Sequence, residues 1–242
     1  DIEVEGIIEQ ADVEAGGNLV VRGGIMGRGI DKILVEGRVQ AKFVIDSEVE
    51  AGHDILIDRE IVQSRDKSMG SISIPNGRIV GGETVARAGF LVGQVGSEAL
   101  VPTVVTAGRD FRLDDKLHIL RAEIDGLFAQ RERLQLKLQL ASRPKRLPIP
   151  RPEDMQREDT PSLAEEVEAL DRQIQALTAE AEGLKLQSQC DTRARLGILK
   201  VVYPETYLGL GDEHLHVRER FEGPVHAHLP GGKVRPRRGT EG

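Results

Sequence analysis

The 242-residue chain carries a formal net charge of -7, with 27 glycines, no tryptophan and only 3% aromatic residues. An acidic balance argues against nucleic acid, whose phosphates reward basic faces, and so few rings argue against a carbohydrate-cleaving cleft with aromatic platforms. The single cysteine, Cys190, rules out an internal disulfide, as a reducing cytoplasm predicts, and no apolar run approaches the ~20 residues that would span a bilayer.

The chain opens on Asp-Ile-Glu-Val, already in a strand pattern, without Met or a charged-then-apolar leader. This reads as a piece excised from a longer protein. Val13-Glu-Ala-Gly16 returns as Val49-Glu-Ala-Gly52, and Ala88-Gly89 and Ala107-Gly108 echo its second half. A fixed period of this kind marks a solenoid. Ile7, Ile25, Phe43, Ile61 and Ile79 follow at steps of 18, and apolar residues also recur every six, as in Ile7, Val13, Leu19 and Ile25. Each rung therefore has three short sides, whose strands must stack on the next rung to bury their apolar faces.

Small residues two places before many of these positions, Ala11, Gly17, Gly23, Ala41, Ser47, Gly77 and Gly89, suit tight corners. The rhythm breaks at Asp31 to Gly37 and at Lys67 to Ser73, which are expected as loops or rung edges. A β-solenoid over residues 1–111 follows, itself acidic with 11 Lys and Arg against 18 Asp and Glu.

At Leu113 the period changes. Leu113, Leu117, Leu120, Ile124, Leu127, Arg131, Leu134 and Leu138 alternate steps of four and three, as do Leu163, Val167, Leu170, Ile174, Leu177, Ala181 and Leu184. This is the a/d rhythm of a coiled coil. Five prolines between Ser142 and Ser162 separate the two runs. Helices of about 113–141 and 162–190, each on the order of 43 Å long by the helical rise, are expected to fold back as an antiparallel hairpin inserted over residues 112–191. Ser162 with Glu165 reads as a capping box. Strand character returns in Gly197–Tyr203, His214–Val217 and Val225–Leu229, so residues 192–229 are expected to close the solenoid. The polar 230–242 tail is expected to be disordered.

Ile61-Val-Gln-Ser64, Ile79-Val-Gly-Gly-Glu83, Ala88-Gly89, Val92-Gly93 and Val104-Val-Thr-Ala-Gly108, followed by the coiled-coil hairpin and a strand return with Val201-Val-Tyr-Pro204, resemble the flagellar assembly protein A (FapA) β-solenoid family. The resemblance extends over nearly the whole chain to about Leu229. It implies a cytoplasmic bacterial protein, a mainly β fold with a single-stranded, right-handed parallel β-helix related in shape to the bactofilin scaffolds, and a tie to flagellar assembly or its regulation. It supplies no catalytic residues.

Four histidines offer a candidate metal site. His214 and His216 share a strand face, as do His226 and His228, and a hairpin turning at Arg220–Gly223 would gather four imidazoles for zinc or nickel. Outward polar positions on closing strands are the simpler account, and no metal is expected. His53 beside Asp54 raises a hexapeptide-type acyltransferase, against which stand the large residues following the apolar positions, Ile8, Glu14, Val20 and Met26. Gly24, Gly27 and Gly29 lack the Lys-Ser or Lys-Thr of a phosphate loop and read as corners. Cys190 reads as a simple unpaired thiol.

The second helix carries six Asp and Glu against two Lys and Arg between Ser162 and Cys190, which suits protein recognition through the hairpin. The expectation is therefore a non-enzymatic scaffold or interaction module without a cofactor, with a protein partner and a capacity for homo-oligomers. A bactofilin-like polymer is the alternative.

Overall fold

A computed structural model describes residues 1–141, 160–187, 193–228 and 237–238. It divides into two compact units, Asp1–Phe111 with Gln189–Gly242, and Arg112–Ser188.

The first unit is a largely parallel β-solenoid. Its strands are β1 (Ile2–Val4), β2 (Ile8–Glu9), β3 (Val13–Ala15), β4 (Leu19–Val21), β5 (Ile25–Met26), β6 (Lys32–Val35), β7 (Val39–Ile45), β8 (Glu48–Ala51), β9 (Ile55–Ser68), β10 (Ser71–Ala86), β11 (Gly89–Val95) and β12 (Thr103–Ala107). After the helices come β13 (Arg195–Val202), β14 (Thr206–Leu210), β15 (Glu213–Val217), β16 (Phe221–Glu222), β17 (Val225–His228) and β18 (Arg237–Arg238).

Three inward columns, one on each side of the coil, run through the core. The first stacks Ile2, Leu19, Val39, Ile55, Ile72, Phe90 and Leu196. The second stacks Ile8, Ile25, Val44, Ile61, Ile79, Val95 and Val202. The third stacks Val13, Ile33, Val49, Asp66, Thr84, Val105 and Leu208. A strand of two or three residues buries too little to stand alone; in register with its neighbours it joins one continuous cluster of Val, Ile and Leu.

This register corrects the strict step of 18. Up to β12, stacked residues lie between 16 apart (Ile33 to Val49) and 21 apart (Thr84 to Val105). The buried column therefore takes Ile8 and Val44, while Ile7 is 45% exposed and Phe43 lies half-buried on the outside, over Gly24. The break expected at Asp31–Gly37 is largely strand, since β6 places Ile33 and Val35 in the core, and the extra residues fall at Gly27–Asp31 instead. Lys67 and Ser68 finish β9, which leaves only Met69–Gly70 between it and β10. Ala41 is likewise a core strand residue rather than a corner.

The corner between the second and third columns explains the Gln-Ser and Gly-Gly pairs. Asp46 (φ 47), Gln63 (φ 51) and Gly81 (φ 72) turn the chain in the left-handed region. Hydroxyls then satisfy the bend. Ser47 donates to the Ile45 carbonyl and Ser64 to that of Val62, each at 2.9 Å. The Ser47 N–H donates to Ser64 Oγ at 3.3 Å, and the Gly81 N–H to Thr103 Oγ1 at 2.8 Å. These bonds run from rung to rung, so local turn chemistry also fixes the stack.

At another corner Asp54 accepts from the Ser71 N–H (2.9 Å) and hydroxyl (2.8 Å) and pairs with Arg38 (3.1 Å). Partial burial pushes this carboxyl up, but the Ser71 donors and the Arg38 guanidinium outweigh it and hold it below its ordinary value. A lowered folded-state value stabilises above the unfolded carboxyl range, near pH 4, and that stability is lost as pH falls through the lowered value. Asp54→Asn is therefore expected to cost about 1 kcal/mol at neutral pH, with the deficit shrinking toward pH 3 in urea titrations.

The closing turn continues the columns. β13 runs parallel to β11 and β14 parallel to β12, although the chain leaves for the helical unit between them. β14 carries Leu208 and Leu210 into the core and was not among the expected strands. Antiparallel strands then cover this turn, β15 on β14 and both β16 and β17 on β13, with β18 pairing to β17. The remainder of the 230–242 tail and Cys190 lie outside the described residues.

The second unit contains α1 (Phe111–Ala141, whose first residue packs in the solenoid unit) and α2 (Thr160–Gln187). Ser162 lies within the first turn of α2 rather than at its cap, because the helix already includes Pro161, a residue whose fixed φ suits the first turn. Residues 188–190, expected as the end of this helix, are outside the described ones.

Candidate functional site

In both helices the a/d positions read from the sequence are the ones withdrawn from water. Leu117, Val167, Leu170 and Ile174 are buried, and Leu113, Leu120, Ile124, Leu127, Arg131, Leu134, Leu138, Leu163, Leu177, Ala181 and Leu184 are half-buried. Arg131 breaks the apolar run. Its guanidinium donates to Asp171 of α2 at 2.9 Å and lies 5.0 Å over the Phe128 ring, while its Nε has no partner. A charged group at a seam costs stability and favours the one alignment that supplies its counter-ion.

Outside the seam, Ile119 (66% exposed), Leu136, Leu140 and Leu186 (70%) face water. With Phe128, 41% exposed beneath the Arg131 guanidinium, five large apolar side chains of this unit are left in solvent. Gly126 and Gly183 have open space where a Cβ would sit. Replacing either by Ala is expected to stabilise this unit by about 1 kcal/mol, since mid-helix glycine wastes backbone entropy. The helical melt followed by circular dichroism reads the gain.

The solenoid carries a second exposed feature that the sequence reading missed. Met26, Ile45, Val62 and Val80 stack in register on the outer side of the second column. Met26 is exposed and the other three are half-buried. The signal was present, as each follows a core residue directly, but placing the strip required the register.

The candidate histidines are not brought onto one hairpin. His214 and His216 lie on β15, opposite Gly209 and Tyr207; His226 and His228 lie on β17, opposite Gly197 and Arg195. Arg220–Gly223 does not turn one pair onto the other, because β16 and β17 both run along β13. His216 instead stacks on Tyr207, with centroids 4.4 Å apart and planes 2° apart, and its Nε2 is 3.6 Å from Glu205. Among the described residues no three His, Cys, Asp or Glu side chains gather as metal ligands.

His53 is exposed at a corner, where its carbonyl accepts from the Ser68 hydroxyl at 2.6 Å. The bonds to its neighbour Asp54 come from Ser71 and Arg38. Gly24 lies beneath the Phe43 ring, Gly27 against the Asp46 carbonyl, and Gly29 has φ 81, so these three serve the coil's own packing. No helix among the described residues is long and apolar enough to cross a membrane.

The family stretches noted in the sequence meet in the fold, for Ile61-Val-Gln-Ser64 stacks in register beneath Ile79-Val-Gly-Gly82, and Val104–Ala107 stacks on Glu83–Ala86. No match to the chain is found among curated proteins or among solved structures. The family model for the Flagellar Assembly Protein A beta solenoid domain matches residues 1–234. With that coverage, a parallel solenoid and its stacked motifs in hand, the chain belongs to the flagellar assembly protein A β-solenoid family.

Proposed function

We propose that the chain is a non-enzymatic scaffold or protein-interaction module in bacterial flagellar assembly or its regulation, working in the cytoplasm. Its helical unit, an antiparallel coiled-coil hairpin, meets the protein partner. The observation that carries this is the ion pair between Arg131 and Asp171 together with the withdrawn seam. An antiparallel register that honours the pair sets Leu138 opposite Leu163, Leu134 opposite Val167, Arg131 opposite Leu170, Leu127 opposite Ile174, Ile124 opposite Leu177, Leu120 opposite Ala181 and Leu117 opposite Leu184. Every a/d position except Leu113 finds an a/d position, so one alignment accounts for seven of the eight seam positions of α1 and all seven of α2. The apolar residues outside the seam are then free for a partner.

The right hand of the coil is proposed on family resemblance. The competing reading is a bactofilin-like polymer of solenoids stacked end to end. Antiparallel strands on the closing turn favour a discrete particle, since a further parallel rung has no free β13 or β14 edge on which to add. Light scattering of the purified chain across concentration and salt tests this. A constant small mass supports the module, and growth with concentration supports the polymer.

A further inference from the structure

Asp66 stands in the third inward column, where every other rung except that of Thr84 places an aliphatic side chain. It is fully buried, as are its register neighbours Val49 below and Thr84 above. Neither Asp66 carboxyl oxygen has a hydrogen-bond partner, and neither does Thr84 Oγ1. The charged residues of the surrounding strands point elsewhere. Glu48 and Glu50 of β8, Arg65 and Lys67 of β9 and Glu83 of β10 occupy the alternate, water-facing positions, and Glu50 is paired with Lys67 at 3.5 Å. Ser64 and Ser68, which share the inward face of β9, donate to the Val62 and His53 carbonyls. Among the described residues no cation reaches Asp66 from any side.

An unpaired carboxylate in such a place would lose its hydration with nothing in exchange, whereas the neutral acid loses far less and has an O–H to offer Thr84 one strand spacing away. Burial accordingly pushes this carboxyl well above its ordinary value.

We propose that Asp66 is a pH-sensitive element built into the rung stack: the folded solenoid holds it as the neutral acid against Thr84, and its ionisation opens the contact between β9 and β10. The folded chain then binds one proton more than the unfolded chain, from the ordinary carboxyl range up to the point where the buried group ionises. Stability from this residue is complete in acid and is lost as pH rises, opposite in sign to Asp54. The unfolding constant should climb about tenfold per pH unit across that window.

The test uses the full chain and its Asp66→Asn variant, which cannot ionise. Urea unfolding is measured from pH 4 to pH 8, and the difference between the two chains removes the titration of every other group. The variant should gain on the parent by about tenfold in unfolding constant per pH unit as pH rises. A difference that does not change with pH, or a parent that gains on the variant, overturns the proposal. Infrared spectroscopy of the unsubstituted chain with labelled aspartate serves whether or not the variant folds. A protonated buried aspartic acid band that persists above about pH 5, where an ordinary carboxyl has ionised, supports the proposal, and its absence overturns it.

Discussion

Gly82→Ala is expected to destabilise the solenoid by about 3–5 kcal/mol, a large part of the ~5–15 kcal/mol that holds a typical domain together. Two independent costs converge there. The residue has φ +73, where a Cβ clashes with its own backbone at about 1–2 kcal/mol. The same Cβ would also overlap the Ser64 carbonyl oxygen of the rung below, a backbone atom that can move only by breaking the corner. Gly16 lacks both features, with no positive φ and nothing near its missing Cβ. Gly16→Ala should therefore leave stability within about 0.5 kcal/mol. Urea midpoints of the two variants read the contrast, and equal midpoints would mean that Ser64 and Gly82 do not stack.

Ile79→Ala is expected to cost about 2–5 kcal/mol, through lost transfer energy and the cavity left behind. Ile79 is fully buried and lies between Ile61 and Val95 in the second column. A solenoid core is one side chain deep on each face, so the rungs above and below must both shift to fill the space. Ile61→Ala combined with Ile79→Ala should accordingly depart from additivity by more than about 0.5 kcal/mol, as contacting residues do. Leu100→Ala, at a residue 51% exposed, is the control and should be near neutral.

The apolar stripe of each helix was legible in the sequence because helical spacing is rigid. No insertion interrupts either run, so each predicted a/d residue is withdrawn from water. The solenoid was legible as a period but not as a register. Rungs differ by up to five residues, and the extra ones collect at corners such as Gly27–Asp31, where they leave the columns intact. A one-residue slip turns a side chain from core to water. That slip separates Ile7 from Ile8 and Phe43 from Val44.

The strand β14 escaped notice because Gly209 interrupts a run of only five residues whose outward position is Tyr207. The histidines lie two by two on β15 and β17, and which strands these pair with is decided by the closing turn, far away in sequence. Asp66 was hidden for a related reason: the strict period puts the core slot at Lys67, and only the stacked register shows that Asp66 is the residue turned inward.

Flagella counted by electron microscopy in cells whose only copy of the protein has residues 113–187 replaced by a short glycine-serine linker test the partner-binding role most directly. Circular dichroism of the purified variant checks that the solenoid still folds. Loss of flagella with a folded solenoid is the predicted result; normal flagellation would contradict a role for the helical unit in meeting the partner.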